Sequence, residues 1–161
     1  MKKTITGALA LMVSLLTMHV FAQAPDFSGS WKRNDAQCDA GDLSINSIPV
    51  SLTINKDSKA IYIRGTLKKG DSVIHVSVDT LNLDGSKRVI NRASSKKQTG
   101  LTWSADQQGF TVSVAISDKQ GNAVQQWNEL YSLSADGKSL KIGVDLEMDG
   151  EDYHMDEVFD R

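Results

Sequence analysis

From residue 50 onward, apolar side chains recur at every second position between short turns, and that period leaves few folds open. Val50, Leu52 and Ile54 form one series, and Ile61, Ile63 and Leu67 another with Gly65 between. Phe110, Val112, Val114 and Ile116 form a third, and Leu140, Ile142, Val144, Leu146 and Met148 a fourth. Successive side chains of an extended chain point to opposite faces, so each series is a strand with one face for a core and one for water. A long amphipathic helix needs spacings of three and four, and no segment after the N-terminal leader keeps them.

The turns are equally legible. Asp84-Gly85, Asp136-Gly137 and Asp149-Gly150 each sit between two alternating runs. Asp-Gly supplies the positive φ that a tight hairpin needs. Lys69-Gly70-Asp71 and Gln120-Gly121-Asn122 read the same way, and Lys56-Asp57-Ser58 and residues 105–109 are further turns. About ten strands result, joined mostly by hairpins. Ser104-Ala105-Asp106 and Ser134-Ala135-Asp136 read as one hairpin solution used twice. Between Val73 and Leu83 the parity changes: Ile74, Val76 and Val78 share one face, Leu81 and Leu83 the other. A bulge near Asp79-Thr80 would reconcile them. Residues 34–48 are polar and aperiodic, long enough for one short helix or a lid.

Sequential antiparallel strands leave two sheet edges, and closure into a barrel removes both. The expected fold is therefore all-β, an antiparallel up-and-down barrel of about eight to ten strands, with a packed open sandwich as the alternative. A barrel of that size can hold one small ligand.

Residues 1–22 have the order of a secretory signal peptide. Lys2 and Lys3 precede an apolar run from Ile5 to Phe21, and Val20-Phe21-Ala22 places a small residue at the cleavage position. The run is broken by Thr6, Ser14, Thr17 and His19 and falls short of a membrane span. Cleavage after Ala22 would leave residues 23–161 as one exported domain, periplasmic or extracellular. Removing Lys2 and Lys3, the only charged side chains of the leader, takes the formal charge from −2 to −4. That balance argues against nucleic-acid binding, which needs a strong basic field. Cys38 is the only cysteine, so no intramolecular disulfide forms, and it reads as a free, partly buried thiol.

Gly29-Ser30-Trp31 matches the Gly-x-Trp motif on the first strand of lipocalins and other calycins. The string from Asp26 to Lys32 resembles the mature N-terminus of small exported bacterial lipocalin-like proteins. The segments Leu83-Asp84-Gly85, Trp103 to Asp106, Leu133 to Lys138 and Val158 to Arg161 are similar to that group too. The second and third lipocalin motifs are not recognisable. The resemblance implies that Trp31 closes one barrel end and that Arg161, the only basic residue of the final strand, packs over its ring. Such a cation–π contact is worth about 0.5–2 kcal/mol.

Strand parity nominates the interior. Trp127, Glu129, Tyr131 and Leu133 share a face, as do Tyr153, Met155, Glu157, Phe159 and Arg161. If the aromatic faces turn inward, Glu129 and Glu157 go with them. A buried carboxyl needs a partner, so each pairs with Arg64 or Arg161, sits near a wet mouth, or meets a polar ligand group. Trp103, Trp127 and Tyr131 are the candidate lining residues, with Glu129 as the polar contact.

Other constellations read as structure. Asp145, Glu147, Asp149 and Asp156 imitate parts of a calcium loop, but Asp145 and Glu147 alternate with apolar residues as a strand's solvent face. His154 and Asp156 lack a third ligand, so no metal is expected. Lys87, Arg88, Arg92, Lys96 and Lys97 read as solvated outer faces opposite an acidic C-terminal pole. No catalytic motif and no cofactor-binding motif is present. The expected function is an exported non-catalytic binder of a small apolar or amphipathic ligand. The alternative is a protein-interaction module of the cell envelope, of inhibitor or chaperone type, with a filled core. An interior cavity below about 300 Å³, under the usual range for ligand pockets, would sink the carrier hypothesis.

Overall fold

The computed structural model describes residues 25–148 and 150–161; the leader assigned to residues 1–22 lies outside them. Ten strands follow in chain order: β1 (Gly29–Arg33), β2 (Ser51–Lys56), β3 (Ala60–Lys69), β4 (Ser72–Asn82), β5 (Arg88–Asn91), β6 (Ser95–Trp103), β7 (Gly109–Asp118), β8 (Ala123–Leu133), β9 (Ser139–Met148) and β10 (Glu151–Asp160). They form one antiparallel sheet in the order β4-β3-β2-β1-β10-β9-β8-β7-β6-β5. Every neighbour is a sequence neighbour except β1 and β10, which join the two ends of the chain through Lys32↔Asp160 and Arg33↔Phe159. The sheet curls into a nearly closed up-and-down barrel.

The alternating series place their apolar members inside. Leu52, Ile54, Ile61, Ile63, Val112, Val114, Ile142 and Val144 are all buried in a single core. One end is sealed by rings. Phe110 stacks on Tyr131 with centroids 4.6 Å apart, and Phe27 and Trp103 meet Phe110 edge-on at 4.8 and 5.4 Å. These arrangements satisfy the aromatic quadrupoles while burying large areas.

Residues 34–50 carry the chain from β1 to β2 and hold one 3-10 helix, Ile45–Ser47. Asp39 and Asp156 exchange both backbone hydrogen bonds at 2.8 Å, so the segment extends the β1 side of β10. Gly41, at φ +55°, lies so close to β10 that a Cβ would sit 2.5 Å from the His154 carbonyl oxygen. Arg33 then pins the inward turn: its Nη1 donates to the carbonyls of Ile45 and Ile48 at 2.9 and 2.7 Å. Ile48 is fully buried as a result.

The edges β4 and β5 share no backbone ladder among the described residues. Side chains close the seam instead. Lys97 Nζ of β6 donates to Asp79 Oδ1 of β4 at 2.6 Å, with the two side chains 10% and 22% exposed. This corrects two expectations. Lys97 is not on an outer face; it shares strand parity with Thr99 and Leu101, which are also buried. There is no bulge at Asp79-Thr80. β4 pairs with β3 without interruption from Asp79↔Ile63 to Asn82↔Ala60, and the irregularity falls at Leu67/Lys68. Ser77, Asp79 and Leu81 keep the inward face, and Ile74, Val76 and Val78 are left exposed.

The repeated Ser-Ala-Asp turns are one hydrogen-bond pattern used twice. Ser104 Oγ and Ser134 Oγ donate to Asp106 Oδ1 and Asp136 Oδ1 at 2.6 and 2.7 Å. The fourth residue has positive φ in both: Gly137 at +68° and Gln107 at +57°. A left-handed conformation strains a residue with a Cβ and not glycine. Gln107→Gly is therefore expected to stabilise the fold by about 0.5–1 kcal/mol in urea unfolding, with an unchanged m-value.

Removing one partner of the seam pair strands the other charge. A fully buried pair loses about 3–5 kcal/mol this way, and the partial exposure of Asp79 reduces that to about 2–3 kcal/mol. Lys97→Met should cost that much, and Asp79→Leu/Lys97→Met should recover most of it; equal losses in the single and double variants would show that the pair does not hold the seam.

Candidate functional site

β8 carries Trp127, Glu129 and Tyr131 two residues apart on the inward face. That spacing puts the carboxylate between two donors. Trp127 Nε1–H donates to Glu129 Oε1 and Tyr131 O–H to Oε2, each at 2.7 Å. Burial pushes the Glu129 carboxyl above the usual range, and these two hydrogen bonds pull it back only in part. Burial and the neighbouring Glu129 charge also hold the Tyr131 hydroxyl well above its ordinary range. The Tyr131 ring joins the aromatic seal, so this residue connects the closed end to the site.

Above it lies a partly open cavity of about 210 Å³. Its walls come from Leu52 of β2, Ile63 of β3, Ile142, Val144 and Leu146 of β9, and Met155 of β10, with Ser47 and Pro49 entering from the 34–50 segment. The charged residues lining it are Asp79, Glu129 and Glu157, all acidic. Asp79 is matched by Lys97, whose Nζ also lies 5.7 Å from the Trp127 ring centroid.

Glu157 is the unusual member. It is only 7% exposed, and no hydrogen bond to its carboxyl is formed within the described residues. Its oxygens nonetheless keep accessible surface, and the space they meet is the cavity. Burial, reinforced by the Glu129 charge and opposed by Arg33, pushes its carboxyl from 4.5 up to about 8. Most of the Glu157 population is therefore protonated at neutral pH.

The sequence-nominated residues thus fall into two groups. Trp127, Glu129 and Tyr131 converge on the cavity. Trp103 sits in the aromatic seal with Lys56 Nζ 5.5 Å from its ring centroid, away from the cavity lining. Trp31 and Arg161 meet at the closed end. Arg161 Cζ lies 4.6 Å from the Trp31 ring centroid, its Nη2 donates to the carbonyls of Asp26 and Ser28, and Trp31 Nε1–H donates to the Phe27 carbonyl. Neither Arg161 nor Arg64 pairs with the interior acids; Arg64 is exposed on the outer face of β3. The functional-site residues that sequence reasoning missed are Asp79 and Lys97. The shared parity of Lys97, Thr99, Leu101 and Trp103 was the signal for the lysine.

The remaining candidates serve the fold or face solvent. Cys38 is half-buried against β10, accepting from Val158 N–H at 3.2 Å, and burial pushes its thiol up, away from the reactive thiolate. Asp145 and Glu147 are exposed on β9, and Asp149 lies outside the described residues. The Asp145 hydrogen bond raises exposed His154 above its ordinary value. Among the described residues no group of three or more His, Cys, Asp or Glu is placed to hold a metal ion, and no helix is long and apolar enough to cross a membrane. Comparison with known proteins finds no matching family model, no matching curated protein and no matching solved structure.

The raised Glu157 value sets a pH dependence with a definite sign. In the unfolded chain the group ionises near 4.5; in the fold it keeps its proton to about 8. Its contribution to stability is complete below the unfolded value and is lost as pH rises from 4.5 through 8. Glu157→Gln mimics the protonated acid. Melting curves should show parent and variant alike near pH 4.5 and the variant more stable at pH 8 by a few kcal/mol, at roughly 2–4 °C each. Parallel curves across that window would contradict the assignment.

Proposed function

We propose that the chain is an exported, non-catalytic binding protein of the lipocalin-like kind, holding one small molecule in the barrel interior. The observation that carries this reading is the Glu157 carboxyl, deeply buried, without a hydrogen bond from the described residues, and facing a partly open cavity. A bound molecule with a complementary group would hydrogen-bond the carboxyl where it meets the cavity. The Gly-x-Trp motif with Arg161 over Trp31 supports the lipocalin-like likeness, and the leader in residues 1–22 supports export.

The volume goes against the carrier as the sequence led us to expect it: at about 210 Å³ the cavity falls below the roughly 300 Å³ at which ordinary ligand pockets begin, so the binder proposed here is one restricted to a smaller guest. A dry cavity of about 150 Å³ takes a benzene-sized guest, so this one admits roughly eight to ten non-hydrogen atoms. Long-chain lipids and retinoids do not fit. The interaction-module reading draws on a different observation, the exposed Ile74, Val76 and Val78 on an edge strand whose backbone has no ladder partner on one side among the described residues. An extended segment of an envelope protein could add to such an edge.

Native mass spectrometry of protein purified from cells that export it separates the two. The binder should carry a small molecule that is released on denaturation, and Trp127→Phe should lower its occupancy. Full-mass apoprotein alone, with no adduct under mild desolvation from any preparation, would leave the interaction module as the surviving reading.

A further inference from the structure

We infer that the cavity selects a small organic cation, an ammonium group on a short apolar body, with Glu157 and Glu129 receiving the ammonium. The inference rests on the binding reading above and names the ligand class.

The lining makes the argument. Asp79, Glu129 and Glu157 face the cavity, and among the described residues no lysine, arginine or histidine does. The nearby cations are already engaged. Lys97 is hydrogen-bonded to Asp79, and Arg33 is held by Asp35 and two carbonyls of the 34–50 segment. An anionic guest would enter a space walled by acids with no free cation to meet it. A cationic guest favours the ionised form of Glu157, and its N–H groups give that carboxylate the hydrogen bonds it lacks. The Trp127 ring, which also lines the cavity, adds a π face. Leu52, Ile63, Val144 and Met155 offer the apolar body its surroundings. A bare metal ion is disfavoured, because these carboxyls are not grouped closely enough to cage one.

Binding an ammonium to Glu157 should also expel its proton. The titratable and charged groups around that carboxyl are Glu129 and Tyr131 of β8, Asp79 of β4, Lys97 of β6, Arg33 of β1 and Cys38 of the 34–50 segment; β9 contributes only apolar residues to the cavity wall.

The test is titration calorimetry of the full mature chain at pH 7 with hexylamine, 1-hexanol and hexanoate, repeated on Glu157→Gln. Hexylamine should bind about tenfold or more tighter than the alcohol, a single charge-assisted contact's worth, and hexanoate should bind most weakly. Glu157→Gln should weaken the amine about tenfold and leave the alcohol within about twofold. Runs in two buffers of different ionisation heat should report proton release with hexylamine and none with hexanol. Equal binding of amine and alcohol, or no effect of Glu157→Gln on their ratio, would overturn the cation assignment and leave the cavity-binding reading standing. Binding of none of the three would overturn both. Because Gln resembles the protonated acid, the variant is expected to fold, and its melting curve near pH 4.5 verifies that it has.

Discussion

The first and last strands of this ten-stranded sheet pair in its middle, and its two outer edges are joined by a side-chain ion pair. β1 and β10 ladder together, so the open edges fall on β4 and β5. Across that seam Lys97 reaches Asp79 from β6. Two charges withdrawn from water attract each other strongly but lose hydration, so such a pair fixes geometry more than it adds stability. Its position also shapes the site. It places an acid in the cavity wall while committing the nearest lysine elsewhere, so the interior keeps an acidic excess.

That excess sets the second physical theme. Inside the barrel, β8 brackets Glu129 with a Trp and a Tyr donor, a strand-period solution to holding a carboxylate away from water. Glu157 on β10 receives no such help. The proton it retains near neutral pH is the protein's own answer to a missing partner. A group in that condition resists ionisation as pH rises, and under the cation proposal the same carboxyl would link stability to recognition.

Particular residues show where local reasoning reaches and where it stops. The alternation of Leu140 to Met148 and of Phe110 to Ile116 was enough to assign buried and solvent faces, because side-chain direction along a strand is a property of the strand itself. The paired Ser-Ala-Asp turns were readable as one hairpin solution used twice, and the structure added the serine-to-aspartate hydrogen bond they share. Glu129 and Glu157 followed from parity with their aromatic neighbours. β4 did not follow. Its apolar Ile74, Val76 and Val78 suggested an inward face that the polar Ser77 and Asp79 occupy instead. Hydrophobicity favoured one parity there, and the seam pair enforced the other.

The sequence by itself determined the strands, their turns, the absence of long helices among the described residues, and the pair of carboxyls carried on inward faces. Each of these depends on neighbours within a few positions along the chain. Only the tertiary structure decided that Lys97 meets Asp79, that Arg161 lies over Trp31 while Arg64 faces water, that Trp103 joins the seal and not the cavity, and that the remaining space is small and acid-lined. Those outcomes depend on which strands curl into proximity, and burial and charge pairing are properties of that arrangement in three dimensions, which no local period encodes.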